Sequence, residues 1–150
     1  MKNSRNLAVP QSASSTAALL QRAIELHRQG DIRQAGLMYL DILEMERDNF
    51  GALQMLGVYA LQTNDDQAAF DLISRALEID PQQAMAHSNL GLALQRLQRF
   101  DDALLAYDQA IQIDPDDLPA INNYGNMLSQ LLRFSEAIVL FERALELSPA

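Results

Sequence analysis

Cysteine is absent from this 150-residue chain, which excludes a disulfide framework, a thiolate nucleophile and any thiolate-ligated metal. Lysine occurs once, as Lys2. Without a basic stripe to follow phosphates, the composition argues against nucleic acid as a partner, and against an anionic membrane surface for the same reason. Glycine (6) and proline (5) are sparse and β-branched residues are few, while Ala, Leu, Gln, Asp and Glu dominate, so helix is expected throughout and sheet nowhere. No run reaches the roughly 20 apolar residues that span a bilayer. The opening MKNSRNLAVPQSASS lacks the roughly 7–15-residue apolar core of a secretory signal, so the expected location is the cytoplasm.

What is present is acidic and periodic. The net charge of −9 is uneven: residues 1–49 are neutral, 50–83 and 84–117 carry −4 each, and 118–150 carry −1. Gly57, Gly91 and Gly125 stand 34 residues apart, as do Pro81, Pro115 and Pro149, Ala69, Ala103 and Ala137, and Ala76, Ala110 and Ala144. Four residue types sharing one spacing imply a stack of equivalent supersecondary units. Residues 1–15 carry Ser, Asn, Gln and Pro10 without helical periodicity, and read as a flexible N-terminal arm. From Thr16 the units run 16–49, 50–83, 84–117 and 118–150.

With the first position of each unit at Thr16, Phe50, Ala84 and Leu118, the eighth holds Ala23, Gly57, Gly91 and Gly125 and the twentieth Ala35, Ala69, Ala103 and Ala137. Small residues at both places let two antiparallel helices approach closely. The twenty-fourth position holds the large wedges Tyr39, Ile73, Tyr107 and Phe141. Proline after Asp80, Asp114 and Ser148 stops each later second helix. Asp101 and Ser135 read as N-caps of the third and fourth of these. Helix pairs are predicted over 16–29 and 33–46, 50–62 and 66–79, 84–97 and 101–113, and 118–131 and 135–147.

The runs ALQMLGVYALQTNDDQAAFDLISRALEIDP, SNLGLALQRLQRFDDALLAYDQAIQIDP and NNYGNMLSQLLRFSEAIVLFERALELSP resemble tetratricopeptide repeats. That resemblance covers residues 16–150 and implies an all-α fold, a right-handed α-solenoid of four antiparallel helix-turn-helix repeats. Repeat 1 is degenerate, with Arg22 at the seventh position and Arg47 in place of the proline, as suits a capping unit. The SNLG and NNYG turns are most similar to the repeats of bacterial O-linked N-acetylglucosamine transferase-like proteins.

In this family the first helices line a concave groove for an extended peptide or a partner's helix. Carried over position by position, the groove row is Gln21, Met55, Asn89 and Asn123, flanked by Asn126 and by the guanidiniums of Arg28 and Arg96. Amides carry both donor and acceptor and suit a ligand's backbone, while the arginines suit a carboxylate or simply pair with nearby acids. Lysine is missing from the rows Leu20, Gln54, Ser88, Asn122 and Ala17, Gly51, Met85, Pro119, so no chaperone-tail clamp is expected.

His87 reads as a packed core imidazole and His27 as a groove residue. Asp114, Asp116 and Asp117 lack the glycine and glutamate of a calcium loop. No catalytic constellation, metal site or cofactor motif is legible, so the expectation for these residues is no enzyme and no cofactor. The leading function is a protein-interaction scaffold binding a peptide or helix; the alternative is the substrate-recruiting N-terminal repeat region of a larger glycosyltransferase-like enzyme. The chain stops at Ala150 with Ile138 and Leu145 lacking a covering neighbour; truncation of a longer array is the favoured explanation, beside end-to-end self-association and tolerance of a modest apolar edge.

Overall fold

The computed structural model describes residues 11–149. Eight helices follow one another with no strand among the described residues: α1 (Gln11–Arg28), α2 (Ile32–Met45), α3 (Phe50–Gln62), α4 (Asp66–Ile79), α5 (Ala84–Arg96), α6 (Phe100–Ile113), α7 (Leu118–Gln130) and α8 (Phe134–Leu147). They pair as four antiparallel hairpins, and the stack is an α-solenoid. Helix α1 starts at Gln11, inside the segment 1–15 read as an arm, and residues 1–10 lie outside the described residues.

Each hairpin is closed by the same contact. A Cβ placed on Gly57 would stand 2.5 Å from the Ile73 side chain, on Gly91 2.7 Å from the Tyr107 ring, and on Gly125 2.7 Å from the Phe141 ring. The small eighth position therefore faces the wedge at position twenty-four of its own unit. The alanine at position twenty is buried as well, but the atoms nearest the glycine belong to the wedge. Tyr39, Ile73 and Tyr107 are fully buried.

The turn inside every hairpin places one residue in the left-handed region: Gly30 at φ 90°, and Asn64, Gln98 and Leu132 at 60°. The residue after it then donates its N–H back to the first helix, as Asp65 does to the Ala60 carbonyl and Arg133 to the Leu128 carbonyl, both at 2.9 Å. Only the first unit uses glycine there. Leu132 takes the steric cost of the αL region and is 74% exposed, so it gains little from packing. Leu132→Gly should raise stability by about 0.5–1 kcal/mol and lift the thermal midpoint by a few degrees. A lower midpoint would mean that the Leu132 side chain supplies packing that outweighs its backbone cost.

Two cap assignments need correction. Helices α6 and α8 begin at Phe100 and Phe134, so Asp101 and Ser135 lie inside the first turn and the N-caps are Arg99 and Arg133. Arginine cannot accept from the exposed N–H groups as Asp31 and Asp65 do at α2 and α4. Instead Arg99 donates to Asp102 at 2.7 and 3.0 Å, and Arg133 to both Glu136 oxygens at 2.7 Å. That pair holds the Glu136 carboxyl below its ordinary range, and the acid stands favourably at the positive helix end.

Candidate functional site: the inner helix layer

First helices come close to the first helices of neighbouring units, α1 to α3, α3 to α5 and α5 to α7, whereas the backbones of no two second helices approach as closely. The closer-spaced layer lies on the inside of the curve, so the first helices form the concave wall. Along this wall side chains at positions twelve and thirteen are laced together. Nε2 of His27 lies 2.8 Å from Oε1 of Gln62 and Nδ1 lies 3.4 Å from the Tyr39 hydroxyl. Two units later Gln95 takes the part of histidine: its Nε2 donates to Gln130 Oε1 at 2.7 Å, and its Oε1 accepts from the Tyr107 hydroxyl at 3.0 Å. The same three positions thus recur every second unit. In units 2 and 4 the wedge is Ile73 or Phe141, which has no hydroxyl to satisfy, and position twelve is Leu61 or Ser129.

Arg96 belongs to this lacing. Its NH1 donates to the Leu61 carbonyl at 2.8 Å and stands 3.3 Å from Asp66, so it bridges units 2 and 3. Arg28 stands at the equivalent place in unit 1 and is exposed, with a 3.6 Å pair to Glu25 on its own helix. Each guanidinium is thus paired with an acid of this chain.

The groove row sorts differently. Asn89, Asn123 and Met55 are half-buried, while Gln21 and Asn126 are exposed. The amides of Gln21, Asn89, Asn123 and Asn126 make no hydrogen bond among the described residues. Beside them Ile24, Val58 and Leu92 are half-buried, giving an apolar stretch that passes into an amide-rich one toward the C-terminus. The sequence placed His27 on this face but gave no role to Gln95, and the signal that could have found it is the tyrosine recurring 12 residues after His27 and after Gln95. His87 departs from expectation: it is half-buried, and its Nε2 lies 2.9 Å from the Pro81 carbonyl at the unit 2–3 junction. Among the described residues no acid–histidine cluster could hold a metal, and no helix is long and apolar enough to cross a membrane.

Family models described as tetratricopeptide repeat match residues 20–84, 84–117 and 118–150. Among solved structures, MamA from Desulfovibrio magneticus RS-1 (residues 41 to the end) superimposes with a TM-score of 0.79 at 23% identity, over 88% of this chain and 75% of that one. Another MamA crystal structure gives 0.78 at 25% identity, over 88% of this chain and 77% of that one. An O-GlcNAc transferase mutant of Thermobaculum terrenum gives 0.77 at 28% identity, over 80% of this chain but 23% of the transferase.

Proposed function

The chain belongs to the tetratricopeptide repeat family, whose repeats typically mediate protein–protein interaction, and from that premise we propose that its concave face holds an extended segment of another protein. The repeats themselves are a non-catalytic scaffold. One observation carries the reading: Gln62, Gln95 and Gln130 are consumed in lacing the wall, while Asn89 and Asn123, half-buried on the same wall, make no hydrogen bond among the described residues. Their amide atoms are open to solvent, and a peptide backbone offers both a donor and an acceptor to replace the water there. Asn126 extends this row, and Ile24, Val58 and Leu92 receive apolar side chains farther along. Gln21, Met55 and Arg28 continue the face into units 1 and 2. With one lysine and a net charge of −9, the proposed ligand is a protein segment and not a nucleic acid.

Asn89→Ala combined with Asn123→Ala should weaken capture of a bound protein partner about tenfold or more in isothermal titration, since two to four hydrogen bonds are lost. Helicity and melting should stay nearly unchanged, because neither amide makes a hydrogen bond among the described residues. Equal affinity of parent and variant for the same partner would remove the amide row from the site.

A second reading follows from the transferase match: these repeats recruit substrate for a larger enzyme. Reading the encoding frame past Ala150 separates the two, because this reading requires a catalytic region fused to the array.

We also propose self-association through α8. Position twenty-one is half-buried as Phe70 and Leu104, and position twenty-eight as Leu43, Leu77 and Ile111, but Ile138 and Leu145 at these places are 54% and 64% exposed. At the other end α1 presents exposed Arg22, Glu25 and Gln29 where later first helices carry mostly apolar residues. Stacking α1 of one copy on α8 of another would bury these charges against leucine and isoleucine, so association should be tail to tail and closed at a dimer. Light scattering should show that dimer, and Ile138→Glu with Leu145→Glu should return it to monomer; a parent that stays monomeric at high concentration overturns the proposal.

A further inference from the structure

The outer side of the stack carries furrows where one second helix faces the next. At the unit 2–3 junction the furrow is filled: Phe70 of α4 packs against the apolar clusters of both units, and the Arg99 guanidinium lies 4.7 Å from the centre of its ring. The residue that supplies Phe70 there, position twenty-one, is Gly36 in unit 1. Tyr59 of α3 lies over that glycine instead, so close that a Cβ on it would stand 3.1 Å from the ring. With no side chain at position twenty-one of α2, a cleft of about 390 Å³ remains between α2 and α4. Its wall is almost wholly apolar, formed by Leu40, Leu56, Tyr59 and Leu72. Leu37 and Leu40 stand 56% and 48% exposed and extend the apolar surface along α2.

Ala60, Thr63 and Ala68 also line it, together with two acids, Asp65 and Asp71, both exposed. Asp65 caps α4 by accepting from the Ala68 N–H at 3.1 Å, and Asp71 accepts from Gln67 Nε2 at 2.9 Å. Among the described residues neither is in an ion pair, and each keeps acceptor capacity for a cation. No cation lines the cleft; Arg33, on the same stripe of α2, stands about two turns before Leu40.

We infer that this cleft is a second docking site, on the face opposite the amide row, for a basic peptide segment. One large apolar side chain of the segment enters between Leu40 and Leu72, and a flanking lysine or arginine meets Asp65 and Asp71. The size is at the lower end of ligand pockets, which suits one or two anchoring side chains and not a folded domain. The charges select against acidic segments, whose carboxylates would face two unpaired aspartates. The cleft and the concave wall lie on opposite sides of α3, so a partner could occupy both at once or either alone.

The test uses a fluorescein-labelled peptide, Lys-Lys-Phe-Leu-Lys-Lys, with Glu-Glu-Phe-Leu-Glu-Glu and Lys-Lys-Ala-Ala-Lys-Lys as controls, read by anisotropy against the full chain. The basic apolar peptide should bind saturably, more weakly as salt rises, and both controls should bind at least about tenfold more weakly. Leu40→Arg and Asp71→Lys change exposed side chains, so they should leave the melting curve in place while each weakens the peptide about tenfold. The Asn89→Ala, Asn123→Ala variant should bind it as the parent does. No saturation by about 1 mM, equal binding of the acidic control, or loss of binding in the asparagine variant instead of the cleft variants would each overturn the inference.

Discussion

Gly91→Leu should lower the stability of the array by about 1–3 kcal/mol, with the midpoint of urea unfolding falling and the slope unchanged. The cause is local. The first atom of any side chain at this position would lie 2.7, 2.7 and 2.9 Å from three ring atoms of Tyr107, closer than unbonded carbons sit in folded proteins. Tyr107 is fully buried against Ala103, Ala106 and Met127, so the ring cannot swing away without opening the contact between α5 and α6 or between α6 and α7. Gly91→Ala combined with Tyr107→Leu should recover part of the loss, because the smaller wedge gives room to the new methyl. A leucine at Gly91 that melts with the parent would show that the hairpin is not closed by this contact.

Tyr107→Ala should cost more, about 3–5 kcal/mol, because it empties the centre of unit 3. Tyr107→Phe keeps the ring and removes only the hydroxyl that donates to Gln95 at 3.0 Å, so its cost should be about 0.5–1.5 kcal/mol. The two variants separate the packing role of the wedge from its part in the concave wall. They also differ in alkali. Burial pushes the Tyr39 phenol up to about 12 and raises that of Tyr107 far above its ordinary 10. In the unfolded chain both lose their protons near pH 10, while the folded chain keeps them, so the folded state binds more protons above that pH. Stability is therefore complete below pH 10 and declines as pH rises from 10 toward 12. Unfolding followed across that window should be flatter in Tyr39→Phe and in Tyr107→Phe than in the parent.

The sequence carried the architecture because period and packing are the same fact here. Gly91, Ala103 and Tyr107 recur at fixed spacing since one hairpin geometry repeats, and the helix spans follow from that spacing to within a residue or two from Phe50 onward. Two things were not written in it. The left-handed turn residue is conventionally signalled by glycine, and only Gly30 gives that signal; Asn64, Gln98 and Leu132 reach the same backbone shape because the helices on either side impose it. Likewise Asp101 and Ser135 have the side chains of N-caps, but the turn geometry starts the helix at Phe100 and Phe134 and leaves arginine in the cap position.

The candidate site was legible as a row and not as a set of states. Counting by 34 put Gln21, Met55, Asn89 and Asn123 on one line, which needs only helix geometry. Which polar groups on that wall are already satisfied depends on side-chain reach between units. Arg96 extends back to the Leu61 carbonyl, and Gln95 extends forward to Gln130. The convex cleft was equally hidden: its origin is the exchange of a side chain at Gly36 for the ring of Tyr59, two residues that no linear pattern connects.

No helix in this stack touches one more than a single unit away. Such an object has no long-range knot to untie, so it can come apart from an end, one hairpin at a time, with the rest standing. Within residues 11–149 the hairpin of α7 and α8 has a neighbouring hairpin on one side, so it should open more cheaply than the two inner hairpins and lead them in amide exchange. Asn123 and Asn126 stand in that hairpin and Asn89 in the one before it. A ligand spanning these amides would act as a clasp, and its arrival would be read in the slowed exchange of α7 and α8 before any change in the overall melt.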